Sequence, residues 1–475
     1  MTELQKKTNN HRILFEEMSP ARALAVMAVP AIASQMIILI YNLADAWFIG
    51  RVQNPYMLGA LSLGQPVFLV LAALANLFGT GGGSLMARLL GEKKTEDASR
   101  IAGYSVACSA AAALCFSIVT LLFLSPLLNL LGASENTLAY GRQYLLFTVV
   151  LGAVPAVLSM SMPTIMRNAG YSREAGFGVA IAGILNIILD PIFMFVLLPK
   201  GMEVTGAALA TLISNILSFL YFLWFFESKK EESVLTVPRR IGKLPADQKK
   251  SLYSVGIPAM IAIFLFDLVT MVINRLSAGY GDLPLAAMGI VLKLERIPIN
   301  IGLGICLGMV PLVAYSYSAG NGKRMNKVFA YAGISALSVS LACIAVFNLF
   351  ADSIIAAFIS DAGVVPPGAH FLKGRSLALP FMMAGYLIVN YMNAVNRGRV
   401  SFLLAVIRHL VLIIPITVFM NAWFGMEGLV NAQLVSDFLS TLFALGIFST
   451  VNRTVLEEIR ARANDQTGPQ PDSGA

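Results

Sequence analysis

The chain has 475 residues, of which 57% are hydrophobic and 13% charged, with a mean hydropathy of +0.74. Soluble domains carry about 25% charged residues, so an ordinary soluble enzyme or soluble binding module is excluded. The net charge of +8 does not point to nucleic acid either, because the basic residues lie in short loops between apolar runs, where they set membrane orientation.

Residues 1–20 are polar and lack the apolar core and cleavage site of a signal peptide, so a cytoplasmic N-terminal segment and a retained first span are expected. Twelve spans are predicted, over about 22–48, 57–87, 101–124, 138–161, 176–198, 205–226, 252–279, 284–316, 328–350, 370–393, 400–422 and 427–449.

Span one carries Pro30 and, toward its far end, Asp45. Span two carries Gly79-Thr80-Gly81-Gly82-Gly83, which lacks the Gly-Lys-Ser/Thr ending of a phosphate loop and lies in an apolar helix. Close helix packing or a bend is predicted there, and nucleotide binding is not. Span five is the most informative. The apolar window from Val179 to Leu198 holds Asn186 and Asp190 on one helical face. An acid at the centre of a membrane helix costs about 2.5–3.5 kcal/mol, so it is expected to face a cavity or a partner. Pro191 follows it, removes a backbone donor and predicts a kink beside the acid. Asp45 and Asp190 are placed to share a half-cavity. Such a pair can exchange a proton or, with the Asn186 oxygen, hold a monovalent cation; the plainer reading of Asp45 is a hydrogen bond to backbone at a helix end.

A charged connection, 227–250, divides the membrane region. Beyond it, span seven holds Asp267 and Arg275, span eight Lys293, Glu295 and Arg296, span eleven Arg408 and His409, and span twelve Asp437. Unpaired charges at such depth are costly, so ion pairs between neighbouring helices are predicted, with Asp437 a partner for Arg408. These residues form either a C-lobe polar network or substrate contacts. His409 has no second His or Cys at ligand spacing, and no metal site is predicted beyond a sodium ion at Asp45, Asn186 and Asp190. Cys108, Cys115, Cys306 and Cys343 read as small buried apolar residues. The end of the polar tail, 453–475, is predicted to be disordered.

Twenty-five Lys and Arg fall on the side of the N-terminus, against Arg51, Arg142, Lys200, Lys373 and Arg375 on the other. That bias predicts cytoplasmic termini. The chain also repeats internally. Val29-Pro30-Ala31 recurs as Ile257-Pro258-Ala259, Gly201-Met202-Glu203 as Gly425-Met426-Glu427, and Asn168-Ala169 as Asn393-Ala394. The predicted fold class is therefore all-α, a polytopic membrane protein of twelve transmembrane helices in two pseudo-symmetric six-helix bundles. The N-lobe covers 21–226 and the C-lobe 251–452. Parallel repeats of this kind build alternating-access transporters.

Several stretches carry a more specific signal. They are Pro30 through Gln35, Tyr41-Asn42-Leu43-Ala44-Asp45, Phe48-Ile49-Gly50, Leu58-Gly59-Ala60-Leu61-Ser62, Gly79 to Gly91, Arg167-Asn168-Ala169-Gly170, and Asn186 to Phe195. Over about residues 15–455 they resemble the multidrug and toxin extrusion (MATE) transporters, in particular the MepA-like branch of that family. The resemblance implies two lobes around a cleft and export of organic cations against inward H⁺ or Na⁺ flow. It places the family's N-lobe acid on Asp45, its fifth-helix Asn and Asp on Asn186 and Asp190, and its bending proline on Pro30. Relatives with a C-lobe cation site have acids in helices seven and ten. Span ten here contains no Asp or Glu, which shifts the expected coupling to the N-lobe.

The expected activity is secondary active efflux of organic, often cationic compounds by antiport with H⁺ or Na⁺. A lipid or lipid-linked oligosaccharide flippase of the same superfamily is the alternative, one that would show an Arg-rich cavity built from Arg275, Arg296 and Arg408. No enzyme activity, nucleotide, nucleic acid or cofactor is expected. The partners are the small-molecule substrate and the bilayer, and a monomer in the plasma (bacterial inner) membrane is expected.

Overall fold

The computed structural model describes residues 13–52, 54–229, 234–235, 244–359 and 361–466, and among them it contains helices and no strand. In hydrocarbon every backbone N–H and C=O must find its partner within the segment, which selects helices for these apolar runs. The spans are α1 (Pro20–Gly50), α2 (Pro55–Gly91), α3 (Thr95–Leu122), α4 (Glu135–Val150 with Ala153–Asn168), α5 (Ser172–Leu197), α6 (Glu203–Ser228), α7 (Ala246–Ser277), α8 (Asp282–Ser318), α9 (Gly322–Ala356) and α10 (Val365–Ser376 with Leu379–Ala394). A last run, Gly398–Ala461, is 64 residues long, about 96 Å at 1.5 Å per residue and far more than one bilayer thickness. Gly425 lies within it at φ 59° and ψ −141°, outside helical space, and divides it into α11 (398–424) and α12 (426–466). Twelve spans result among the described residues.

The repeat is visible in the backbone. α4 bends by 48° and α10 by 46° at the same place in each half. Phe123, just after α3, and Phe350, within α9, leave helical geometry in the same way; the predicted ends at 124 and 350 fall on these breaks. The recurring Gly-Met-Glu triplets open α6 and α12, and both glycines have positive φ, 97° at Gly201 and 59° at Gly425, a conformation disfavoured for residues bearing a Cβ.

Two features depart from the sequence reading. Beside Pro191, α5 continues without a break and widens into a π-helical turn over Phe193–Leu197, a feature not read from the sequence. α12 continues to Gln466, burying Val455 and Ile459 on its inner face. The N-terminal residues 1–12, the connection residues 230–233 and 236–243, and the tail residues 467–475 lie outside the described residues. Of the four cysteines, Cys306 alone is buried, while Cys115 is exposed and Cys108 and Cys343 are intermediate.

The end of the molecule carrying Pro20, Gly91 and Ala246 is here called basal, the other apical. Contacts between the halves gather basally. α2 lies against α7 and α8 against α1, with glycines at the crossings: Gly81 meets the Leu252 carbonyl, and Gly304 and Gly308 meet Ile32 and Ala28. Gly79 to Gly83 thus packs closely, within an unbroken helix. Arg88 Nη2 donates to Ser251 Oγ at 2.8 Å and Nη1 to the Asn393 carbonyl at 3.3 Å, while Ser84 Oγ donates to the same carbonyl at 2.8 Å. A short N-terminal hook, Ile13–Glu17, completes this end. Phe15 stacks on Tyr315 at 4.7 Å, Tyr315 Oη donates to Glu16 at 2.6 Å, and Arg324 donates to the carbonyls of Leu14 and Met18 at 3.0 and 2.6 Å.

A Cβ built on Gly256 would lie 2.1 Å from the Leu77 carbonyl oxygen, and that backbone atom cannot turn aside. Gly256→Val is therefore expected to wedge the halves apart and to cost about 1–3 kcal/mol or more. Gly446→Ala, where a Cβ meets nothing within 4 Å, serves as the control. Melting temperatures of the two variants in detergent check this expectation.

Candidate functional site

α1 and α5 run side by side because α5 offers glycines to α1. Ser172 Oγ donates to the Met27 carbonyl at 2.6 Å. Gly176 faces Pro30 and Ser34, and Gly183 faces Ile37 and Tyr41. One to two turns further along each helix come Asp45 and the Asn186–Asp190 pair. Parallel register thus brings the two acids to one level.

Asp45 and Asn186 line a cavity of about 100 Å³ inside the N-lobe, with Tyr41, Gln65, Tyr144 and Thr211. Asp190 is fully buried just behind it. Asn186 Nδ2 donates to Asp190 Oδ1 at 3.3 Å and to Thr211 Oγ1 at 3.4 Å, while Asp190 Oδ2 has no partner among the described residues. The two carboxylates lie within electrostatic reach of each other, and Tyr144 lies within reach of both. Among the described residues no Lys, Arg or His lines this cavity. An orphaned buried carboxylate oxygen beside a second acid, an amide and hydroxyls, in a space of this size, suits a proton or a small monovalent cation. Among the described residues no group of three or more His, Cys, Asp or Glu could hold a metal ion, so a sodium ion there would need neutral oxygens beside the two acids.

Pro30 sits within the unbroken α1, where Ser34 Oγ donates to its carbonyl at 2.7 Å. Asp45 makes no side-chain hydrogen bond among the described residues, unlike the helix-end role considered from sequence. Tyr144 and Thr211 escaped sequence reading. Tyr41 belonged to a quoted motif, and its spacing of four residues from Asp45 was the signal available.

The C-lobe interior has the opposite chemistry. A cavity of about 50 Å³ is lined by Glu295, Arg375, Arg408 and Gln433 among others. Arg408 contacts Asp437 Oδ1 through Nε at 2.9 Å and Nη2 at 2.8 Å, as predicted, and Gln433 Nε2 donates to Oδ2 at 2.5 Å. Arg408 also stacks on Tyr386 at 4.5 Å. Glu295 takes a two-pronged ion pair from Arg375, at 2.6 and 3.0 Å. The sequence reading counted Arg375 only among the few basic residues of the far side and did not bring it into this network; the residue is 3% exposed. Two expectations fail. Arg275 and Lys293 are exposed and join no ion pair among the described residues. Arg408 and His409 lie in a π-helical turn, Ile407–Ile413, just before Pro415.

Between the lobes lies a cavity of about 490 Å³, within the usual size range of ligand pockets. Thr80, Arg167 and Asn168 line it from the N-lobe, and Asp267, Arg296 and Asn390 from the C-lobe. Arg296 stands over the Phe266 ring at 5.0 Å and acts electrostatically on Asp267.

The repeated architecture coincides with a known family pattern: the MatE family model matches this chain twice, over residues 30–192 and 258–419. The chain belongs to the MatE family. The two matched blocks fall one in each bundle. Among curated relatives, "Multidrug export protein MepA" of Staphylococcus aureus (strain NCTC 8325 / PS 47) is 30% identical over 437 residues, covering 92% of this chain and 95% of the relative. The protein of the same name from Staphylococcus haemolyticus (strain JCSC1435) is 30% identical over 445 residues, 94% and 97% of the respective chains. A solved structure, "Crystal structure of MATE in complex with MaD3S", superposes with a TM-score of 0.88 at 21% identity over 94% of this chain and 99% of its own, which establishes a shared fold.

Proposed function

We propose that this MatE member is a secondary active multidrug efflux transporter, with Asp45, Asn186 and Asp190 as its ion-coupling centre and the central cavity as its substrate site. One observation carries the coupling assignment. The two lobes have corresponding interiors, and the C-lobe one is neutralised by Arg408–Asp437 and Arg375–Glu295, whereas the N-lobe one has Asp45 on its wall, Asp190 buried behind it and, among the described residues, no base. A buried group already paired has little to exchange; an unpaired acid pair can bind and release H⁺ or Na⁺. Pro30 and Pro191, on the helices that frame this pair, are the conformational elements of the reading.

We assign the basal end to the cytoplasm from the Lys/Arg bias, which places both termini inside a bacterial plasma membrane. The basal seam then closes the cytoplasmic side in this form. Ion binding favours one lobe arrangement and substrate the other, each by its differential affinity, which is alternating access. The N-lobe, 21–226, and the C-lobe, 251–452, are the moving units of a monomer. The cationic end of an organic substrate would meet Asp267 beside Phe266 and Tyr386. The flippase alternative is not favoured. Of the arginines it required, Arg275 is exposed and Arg408 is held by Asp437, and the similar curated proteins carry the name of multidrug exporters.

The test is efflux of a fluorescent organic cation from proteoliposomes under separately imposed pH and sodium gradients. Export driven by one of them is expected, and the effective gradient names the ion. Indifference to both gradients would exclude antiport.

A further inference from the structure

We infer that Arg167 is an anion-binding subsite of the central cavity, which takes a carboxylate carried by the substrate; the inference rests on the efflux reading above. Arg167 is 4% exposed and forms part of the N-lobe wall of the cavity. It has no ion pair and no side-chain hydrogen bond among the described residues, and its Nε is buried without an acceptor. A guanidinium carries five N–H donors, and one buried with none of them used is a cost the protein does not offset internally.

The end of its own helix does not account for it. The carbonyls of Ile165, Met166 and Arg167 already accept from the backbone N–H groups of Ala169, Tyr171 and Gly170, so Arg167 is not capping α4. The other charges on the cavity wall have counter-charges: Arg408 has Asp437, and Arg296 acts on Asp267. Arg167 therefore leaves one uncompensated positive charge. Asn168 and Asn393, on the same wall, each present a buried amide oxygen without a donor, suited to N–H groups on the same ligand. One free guanidinium matches a singly charged, planar, two-oxygen group better than a diphosphate.

The experiment uses the full-length protein in detergent, with a fluorescent amino-carboxylate and its methyl ester measured in parallel by equilibrium binding. Arg167→Gln is expected to shift the ratio of the two affinities against the free acid by about tenfold or more. Arg167→Lys, which keeps the charge but not the fork, is expected to fall between; it also serves if the glutamine variant does not fold. An acid-to-ester ratio equal to wild type in the folded variants overturns the inference. So does ester binding that responds to replacing chloride by methanesulfonate, which is no carboxylate, in wild type but not in Arg167→Gln, since chloride would then occupy the guanidinium. Transport of neither compound under any gradient would instead undo the efflux reading, which the binding ratio does not depend on.

Discussion

Asp190→Asn is expected to reduce gradient-driven export to the level of protein-free liposomes while leaving membrane insertion and melting temperature close to those of the parent. The carboxylate is fully buried, and among the described residues its only hydrogen bond comes from Asn186 at 3.3 Å and Oδ2 has no partner. Replacing a poorly satisfied acid by a neutral amide of the same shape removes a desolvation cost and little stabilisation. What it removes is the capacity to carry a proton or balance a cation. Asp45→Asn should behave alike, since the two acids act on one another. Efflux assays on both variants, paired with yield and thermal melting, check this expectation. Full coupled export by both variants would end the assignment of the N-lobe pair.

Asp437→Ala is expected to do the reverse, costing about 3–5 kcal/mol of stability because it strands a buried guanidinium. Arg408 meets Asp437 through two nitrogens, and Gln433 holds the other oxygen. Removing the acid orphans both donors inside the C-lobe. Melting in detergent should fall steeply, and the double variant Asp437→Ala with Arg408→Met should recover part of the loss, because it removes the stranded charge as well. Aspartates in corresponding lobe interiors are thus predicted to fail in different currencies, transport in one lobe and stability in the other.

Much of this was legible in the chain. Long apolar windows read helix existence well, because a bilayer demands about 20 such residues whatever the tertiary fold. The Asn186–Asp190 pair was legible because helical spacing fixes which residues share a face. The cost of an acid at that depth then called for a cavity. Other features depend on the third dimension. Arg375 was counted for orientation alone, because its partner, Glu295, lies on another helix and no spacing links the two. Arg275 and Lys293 looked like network members because sequence gives depth but not direction around the helix. Tyr144 entered the site through α4, whose bend carries no motif. The early start of α10 at Val365 and the extension of α12 to Gln466 were missed because polar turns leave no mark in an apolar window.

The N-terminal hook has a consequence for how the molecule can move. Residues 13–17 precede α1 in the chain, yet they dock on α8 and α9, so a covalent part of one bundle is fastened to the other. Two bodies joined at one end have fewer independent motions than two free bodies: they can swing about the fastening but cannot part there. Parting the basal ends requires either that the hook let go, surrendering the Phe15 stack and the three carbonyls that Arg324 holds, or that it travel with the second bundle while the few residues up to Pro20 act as the hinge. In the first case the hook sets part of the height of the barrier between states; in the second it sets the radius of the swing.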